Sequence, residues 1–255
     1  MRRLLIVLFV ITWQISPHIS KANNAIEELS QKLGVRIVTN ELVAGSWESI
    51  EYELPGDTVL LNHYISLLDQ EFSKYPRGYF NVIGIRTIAL AQNLRFSDQE
   101  RSAIPDPYRG ILYLEVDAVA ESETYTIHVM HHELHHCAEY YYWHNMNYEW
   151  EEWSEANNPA FRYKGGGVSA YSQPDIDWYT FTNPSDGMLN LYCTTAQEED
   201  RSELVAAIMT DKERAKLSQI LRNDEILQHK VLLIKILLSE ISGTEDNYWN
   251  RVFDW

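Results

Sequence analysis

Apolar residues recur along this chain in two periods, and the changes between them mark out its elements. Residues 23–34 (NNAIEELSQKLG) carry apolar positions at helical spacing, which predicts a short helix closed by Gly34. The β-branched run Val35 to Thr39 predicts a strand. Asp57 stands as an N-cap ahead of Val59, Leu60, Leu61, Tyr64, Ile65, Leu67 and Leu68, a second helix, and Pro76 closes that region. Asn81 to Leu94 is strand-rich. Tyr108-Arg109-Gly110 opens a further strand over Ile111 to Val116. A helix starting at Glu123 or Thr124 follows and is expected to run to about Trp143. Residues 144–197 break the periodicity. They are rich in Trp, Tyr, Asn, Gly and Pro, with Gly165-Gly166-Gly167 in the middle, and irregular segments of that length in a compact domain usually carry function. Helical periodicity returns from Gln197, with Leu204, Val205, Ile208 and Met209, and again from Asp224 to Ile241 as a packing helix. The pattern describes one α+β domain: a small mixed sheet, a central helix over 123–143, and a helical region at the C-terminal end.

Composition narrows the partners. The 255 residues are enough for one domain with a sizeable core, and 45% hydrophobic with 23% charged residues is ordinary for a globular chain. The balance of 21 Lys+Arg against 37 Asp+Glu argues against nucleic acid, which needs a basic face. Met1-Arg2-Arg3, an apolar run from Leu4 to Ile15, and Ser20-Lys21-Ala22 have the form of a secretory leader cleaved after Ala22. That run is too short to span a bilayer, and no later segment is longer. The expected organisation is a leader over 1–22 and one domain over 23–255, secreted or periplasmic, with no integral membrane segment. The two cysteines, Cys137 and Cys193, could pair in an oxidising compartment or stay as buried thiols.

The chemistry is concentrated in His131-His132-Glu133-Leu134-His135-His136. Residues four apart share one helix face, so His132 and His136 can grip one ion, while Glu133 is placed to act as general base on a water. Three pairs of histidines have that spacing (128/132, 131/135, 132/136), but only the last has a glutamate directly after its first member. Catalytic zinc takes a third protein ligand. The residues offer two: Glu155, within the acidic patch 149–155, and Glu199. Glu199 and Glu203 lie four apart on the helix expected from Gln197, so one could bind metal and the other orient a ligand histidine.

The stretch Leu191 to Glu203 resembles the third-ligand segment of the anthrax lethal factor group of zinc peptidases, which has a tyrosine, a turn with Thr or Ser, a ligand Glu and another Glu four residues on. Trp153 to Tyr163 (WSEANNPAFRY) is similar to a segment of exported bacterial proteins classed as zinc metallopeptidases. The likeness covers roughly residues 108–215 and is specific at those two motifs. It departs at Cys193, where the group has glycine, at Asp200-Arg201, where the group has an apolar pair, and in a longer His-to-Glu interval. It implies a zincin-like fold in which His132, His136 and Glu199 hold Zn2+, Glu203 supports a ligand histidine, Glu133 is the catalytic base, and the Tyr192 hydroxyl stabilises an oxyanion, with Tyr171 as the alternative tyrosine. The expected function is a secreted zinc endopeptidase acting on peptide or protein substrates. Strand 111–116 would be the edge on which the substrate lies, and aromatic residues of 140–180 would line the cleft or fill the core. The competing readings are a non-catalytic zinc-binding module on a peptidase fold and a zinc hydrolase of a non-peptide amide.

Overall fold

The computed structural model describes residues 17–167, 170, 173, 175–244 and 246–253. The sequence features of a leader fall mainly on residues 1–16, and Tyr171 is also outside the described residues.

The N-terminal half follows its caps. Helix α1 (Pro17–Leu33) ends where Gly34 turns left-handed at φ +73. Strand β1 (Arg36–Val38) and strand β2 (Ile50–Glu53) follow. Helix α2 (Thr58–Phe72) is capped by Asp57, whose side chain accepts from the backbone N–H groups of Val59 and Leu60, as its position predicts. The strand-rich stretch begins later than expected. Gly78 and Gly84, both at positive φ, bracket a single turn, α3 (Tyr79–Val82), which tucks Tyr79 and Phe80 into the core. Only then does strand β3 (Thr87–Phe96) run through the sheet, followed by β4 (Gln99–Glu100), β5 (Ala103–Asp106) and β6 (Ile111–Glu115).

The sheet is mixed, in the order β1-β3-β6-β5. β1, β3 and β6 are parallel and β5 is antiparallel to β6; the far half of β3 pairs antiparallel with β2 and β4. Gly110 sets the start of β6. A Cβ there would run into the Gly84 carbonyl, and the Gly110 carbonyl accepts from both Arg86 and Thr87 N–H. β6 is therefore an interior strand, buried on both faces, and not the substrate edge expected for it. The edge beyond it is β5, which lies against the central helix.

After a short helix α4 (Ala118–Glu121), that central helix, α5 (Glu123–Trp143), starts at a Ser122 cap and ends at left-handed His144. It is buried on nearly every side; Met130, Leu134, Cys137 and Ala138 have no measurable exposure. Among its described residues the irregular segment carries helix α6 (Glu151–Ala156), and it ends in a 3-10 turn at Tyr192–Thr194. Helix α7 (Gln197–Met209) packs along α5. Helices α8 (Asp211–Leu221), α9 (Glu225–Ser242) and α10 (Asp246–Phe253) complete the C-terminal helical region. No described helix is long and apolar enough to cross a membrane. Cys137 and Cys193 are both buried and free, so the pairing considered above is not formed.

Candidate metal centre

On α5 the histidines sort by helix face. His128, His132 and His136 form one row toward α7, while His131 and His135 turn to other neighbours. His131 lies between Tyr75 and Glu71 of the α2 region, at 3.0 Å from each. His135 Nε2 is 3.1 Å from Glu139 Oε1. Glu139 in turn takes two bonds from the buried Arg201 guanidinium.

The row facing α7 meets the two glutamates of that helix. His132 Nε2 and His136 Nε2 are 3.0 Å apart, and both face Glu199 Oε2, at 3.1 and 3.3 Å. The donor atoms of His132, His136 and Glu199 all lie within 4.8 Å of one another. Glu203, one turn further on, puts Oε1 3.0 Å from His132 Nδ1, close in distance but out of line for a hydrogen bond. The same Oε1 is 3.2 Å from His128 Nε2, and Oε2 accepts from Asn190 at 2.5 Å. On its other side His128 Nδ1 is 2.7 Å from Glu213 Oε2 of α8.

Glu203 is buried and Glu199 partly so among the imidazoles, and the electrostatics follow. Burial pulls the histidine pKa values down, but the carboxylates of Glu199 and Glu203 raise His132 well above its ordinary value, and Glu199 raises His136. Burial likewise lowers His128, yet Glu203 and Glu213 lift it to about 9. Glu199 and Glu203 are held far below the carboxylate range by these imidazoles, against burial. Glu199 thus draws positive charge toward the two ring nitrogens it faces, and a divalent cation can supply that charge in place of protons. The donor set, two imidazoles and one carboxylate converging from two helices, is one that catalytic zinc accepts while keeping a position for water. The residues present fit such an ion.

Glu133 lies between the two ring ligands in sequence and lines the cleft beside them, half-buried; burial raises its carboxyl pKa, opposed by His132 and His136. A cleft of about 420 Å³ runs from Ile104 and Pro105 of β5 across this floor to the glycine loop 165–167. A side pocket of about 100 Å³ opens next to it, walled by Tyr125, Val129, Tyr179 and Tyr192. Tyr192 is buried, with its ring 6.0 Å from that of His132. Its hydroxyl points at Gly167, where an added Cβ would lie 2.5 Å from Tyr192 Oη and closer still to Glu199 Oε1.

The structure brings His132, Glu133, His136, Tyr192, Glu199 and Glu203 to one place. Glu155 is not among them: it is exposed on α6, outside both groups of residues able to hold a metal. The aromatics of 140–180 divide. Trp153 is core, donating to Asp200, whereas Tyr179 lines the side pocket. Sequence reasoning passed over His128, Asn190, Gly167 and Glu213. For His128 the spacing to His132, and for Gly167 its place in a glycine triplet, were signals; for Asn190 and Glu213 there was none. The pair Asp200-Arg201 is buried, each member with its own counter-charge: Lys230 Nζ at 2.6 Å from Asp200, and Glu139 for Arg201.

No family model matches this chain, and no curated protein does. A solved structure does: a Bacteroides caccae protein provisionally identified as a zinc-binding metallo-peptidase, with a TM-score of 0.57 over 96% of this chain and 94% of that one, at 13% sequence identity. The likeness establishes that the two share a fold.

Proposed function

We propose that this chain is an exported zinc-dependent endopeptidase in which His132, His136 and Glu199 hold the metal. The observation that carries this is the convergence of those three donors on a cleft floor that also bears Glu133. The shared fold with a protein bearing a zinc metallo-peptidase name supports it, as do the leader-like first 22 residues for export.

When bound, zinc would supply Lewis acidity, easing ionisation of a water and polarising the scissile carbonyl. The chain's own groups do the rest. Glu133 takes a proton from the attacking water and hands it to the leaving amine; its raised pKa suits both halves of that transfer. The Tyr192 hydroxyl, on the opposite wall, donates to the oxygen on which charge develops. Glu203 faces the far nitrogen of His132 and favours a proton there, leaving Nε2 free to bind metal. Substrate backbone lies along β5, the edge strand beside the cleft. The order of groups, with a tyrosine preceding the ligand glutamate and a second glutamate four residues on, resembles that of the lethal factor group, and the roles given to Tyr192 and Glu203 rest on that resemblance.

Glu133→Gln tests the enzyme reading. It is expected to bind zinc stoichiometrically and to lose hydrolysis of a peptide library; hydrolysis at the wild-type rate would remove Glu133 from the mechanism. Running peptidoglycan fragments beside the peptides separates the peptidase from a hydrolase of other amides. Zinc content of Glu199→Ala against Glu155→Ala tests the ligand set: only the first is expected to lose metal.

A further inference from the structure

We propose that His128 is a positioning residue of the metal centre, pinning the Glu203 carboxylate against Nδ1 of His132. The proposal rests on the reading of His132, His136 and Glu199 as the metal ligands. Glu203 is 1% exposed, and a carboxylate so deep in the protein needs partners on both oxygens. Asn190 holds Oε2 at 2.5 Å. Oε1 is shared between His128 Nε2 and His132 Nδ1. Among the described residues, the ion pairs of Glu203 are to these two histidines.

The two histidines are not equivalent. His132 has a second nitrogen turned to Glu199, so on metal binding it acts as a neutral ligand and ceases to be a cation for Glu203. His128 does not face Glu199. Its Nδ1 lies 2.7 Å from Glu213 Oε2 and its Nε2 3.2 Å from Glu203 Oε1. The His128 ring is thus held from both nitrogens by carboxylate oxygens of two different helices, which fixes its position against Glu203. His128 is therefore the contact that remains to hold Glu203 in place once His132 is committed to metal. Contacts run without a break from half-exposed Glu213 on α8 through His128 and Glu203 to His132.

The test is a double-mutant cycle in zinc affinity, measured by chelator competition on the full chain, with His128→Gln, Glu203→Gln and the pair. Wild type is expected to bind one equivalent. Each single change is expected to weaken binding about 10–100-fold, the usual effect of removing a group that orients a ligand. If His128 works through Glu203, the double variant is no weaker than Glu203→Gln alone, which a general loss of packing would not produce. The absorption bands of the Co2+-substituted protein should shift alike in both single variants. Glu213→Gln provides a second route should His128→Gln not fold: a smaller loss is expected, vanishing in the Glu203→Gln background. Additive losses, or wild-type affinity in His128→Gln, would overturn the proposal alone. A second equivalent of zinc that disappears with His128 would also overturn it, making His128 a ligand, since His128, His132 and Glu203 lie within 4.8 Å as well. Absence of zinc binding in the wild type would instead bring down the metal reading, and this proposal with it.

Discussion

Gly167→Ala places one methyl group at the most crowded point of the candidate centre. A Cβ there would lie 2.5 Å from Tyr192 Oη, and closer to Glu199 Oε1, whereas real Cβ atoms keep at least 3.0 Å. One of the three residues must therefore retreat by at least 0.5 Å. Glu199 cannot swing freely, because its other oxygen is gripped by His132 and His136. The loop cannot lift cheaply, because Lys164, Gly165 and Gly166 donate to the Thr194 and Thr195 carbonyls. Overpacking of this kind costs about 1–3 kcal/mol of stability. Metal–ligand distances tolerate only about 0.2 Å, so zinc affinity should fall at least about tenfold. A misplacement approaching 1 Å costs on the order of 100-fold in rate, so peptide hydrolysis should suffer more than stability. The control is Gly165→Ala. Its φ of +94 is strained for alanine, but nothing lies within 4 Å of the added Cβ, so stability should drop while zinc affinity holds. The assay is zinc competition with a chelator, beside urea unfolding of each variant. Wild-type zinc affinity and turnover in Gly167→Ala would refute the claim that this glycine is required by the approach of Glu199 and Tyr192.

Tyr192→Phe keeps the buried ring and removes the hydroxyl that faces the cleft; zinc content should be unchanged while kcat falls about 100–1,000-fold, as for loss of one oxyanion donor. Acid should destabilise the fold through Glu139. Burial raises its pKa, but Arg201 and His135 bring it down to about 2, below its ordinary 4.5. With the folded value depressed, the stability it contributes is complete above about pH 4.5 and is lost as pH falls toward 2. Urea midpoints measured across that range should decline in wild type and decline less steeply in Glu139→Gln, the remaining slope coming from Glu199 and Glu203.

Much of this fold was legible because its helices carry their own punctuation. Asp57, Gly34 and Asp224 cap where their positions say they should, and each governs a boundary by a local hydrogen bond or a left-handed turn. The misreading of Ile111–Glu115 as an edge was avoidable in principle. ILYLE is apolar at four successive positions, the mark of a strand covered on both faces, whereas Ala103–Asp106 is short and contains Pro105, which suits an edge. Helix α8 was passed over although Leu217, Ile220 and Leu221 stand at helical spacing, the first buried and the other two half-buried against the core. In the candidate centre, His132, Glu133 and His136 were legible because their spacing is set within one helix. Glu199 needed a resemblance to choose it over Glu155. Asn190 and Glu213 reach Glu203 and His128 through tertiary packing, which no local pattern records.

The charges at the start of α7 raise a question of purpose, since buried ion pairs seldom add net stability. Asp200 finds Lys230 of α9, and Arg201 finds Glu139 of α5. Consecutive helical side chains point about 100° apart, so these partners hold α7 from different directions and fix its rotation about its own axis. That rotation decides where Glu199 and Glu203 point. Arg201→Met alone leaves Glu139 buried and charged, with His135 beside it, and should cost about 3–5 kcal/mol in urea. Adding Glu139→Leu should restore much of that loss, because two apolar side chains then fill the space of the ion pair. Zinc affinity is expected to behave differently: the double variant recovers stability but still binds zinc more weakly than wild type, since nothing apolar replaces a bidentate grip that sets direction. Full recovery of zinc binding together with stability would show that packing alone orients the helix, and that the ion pair has no part in placing Glu199.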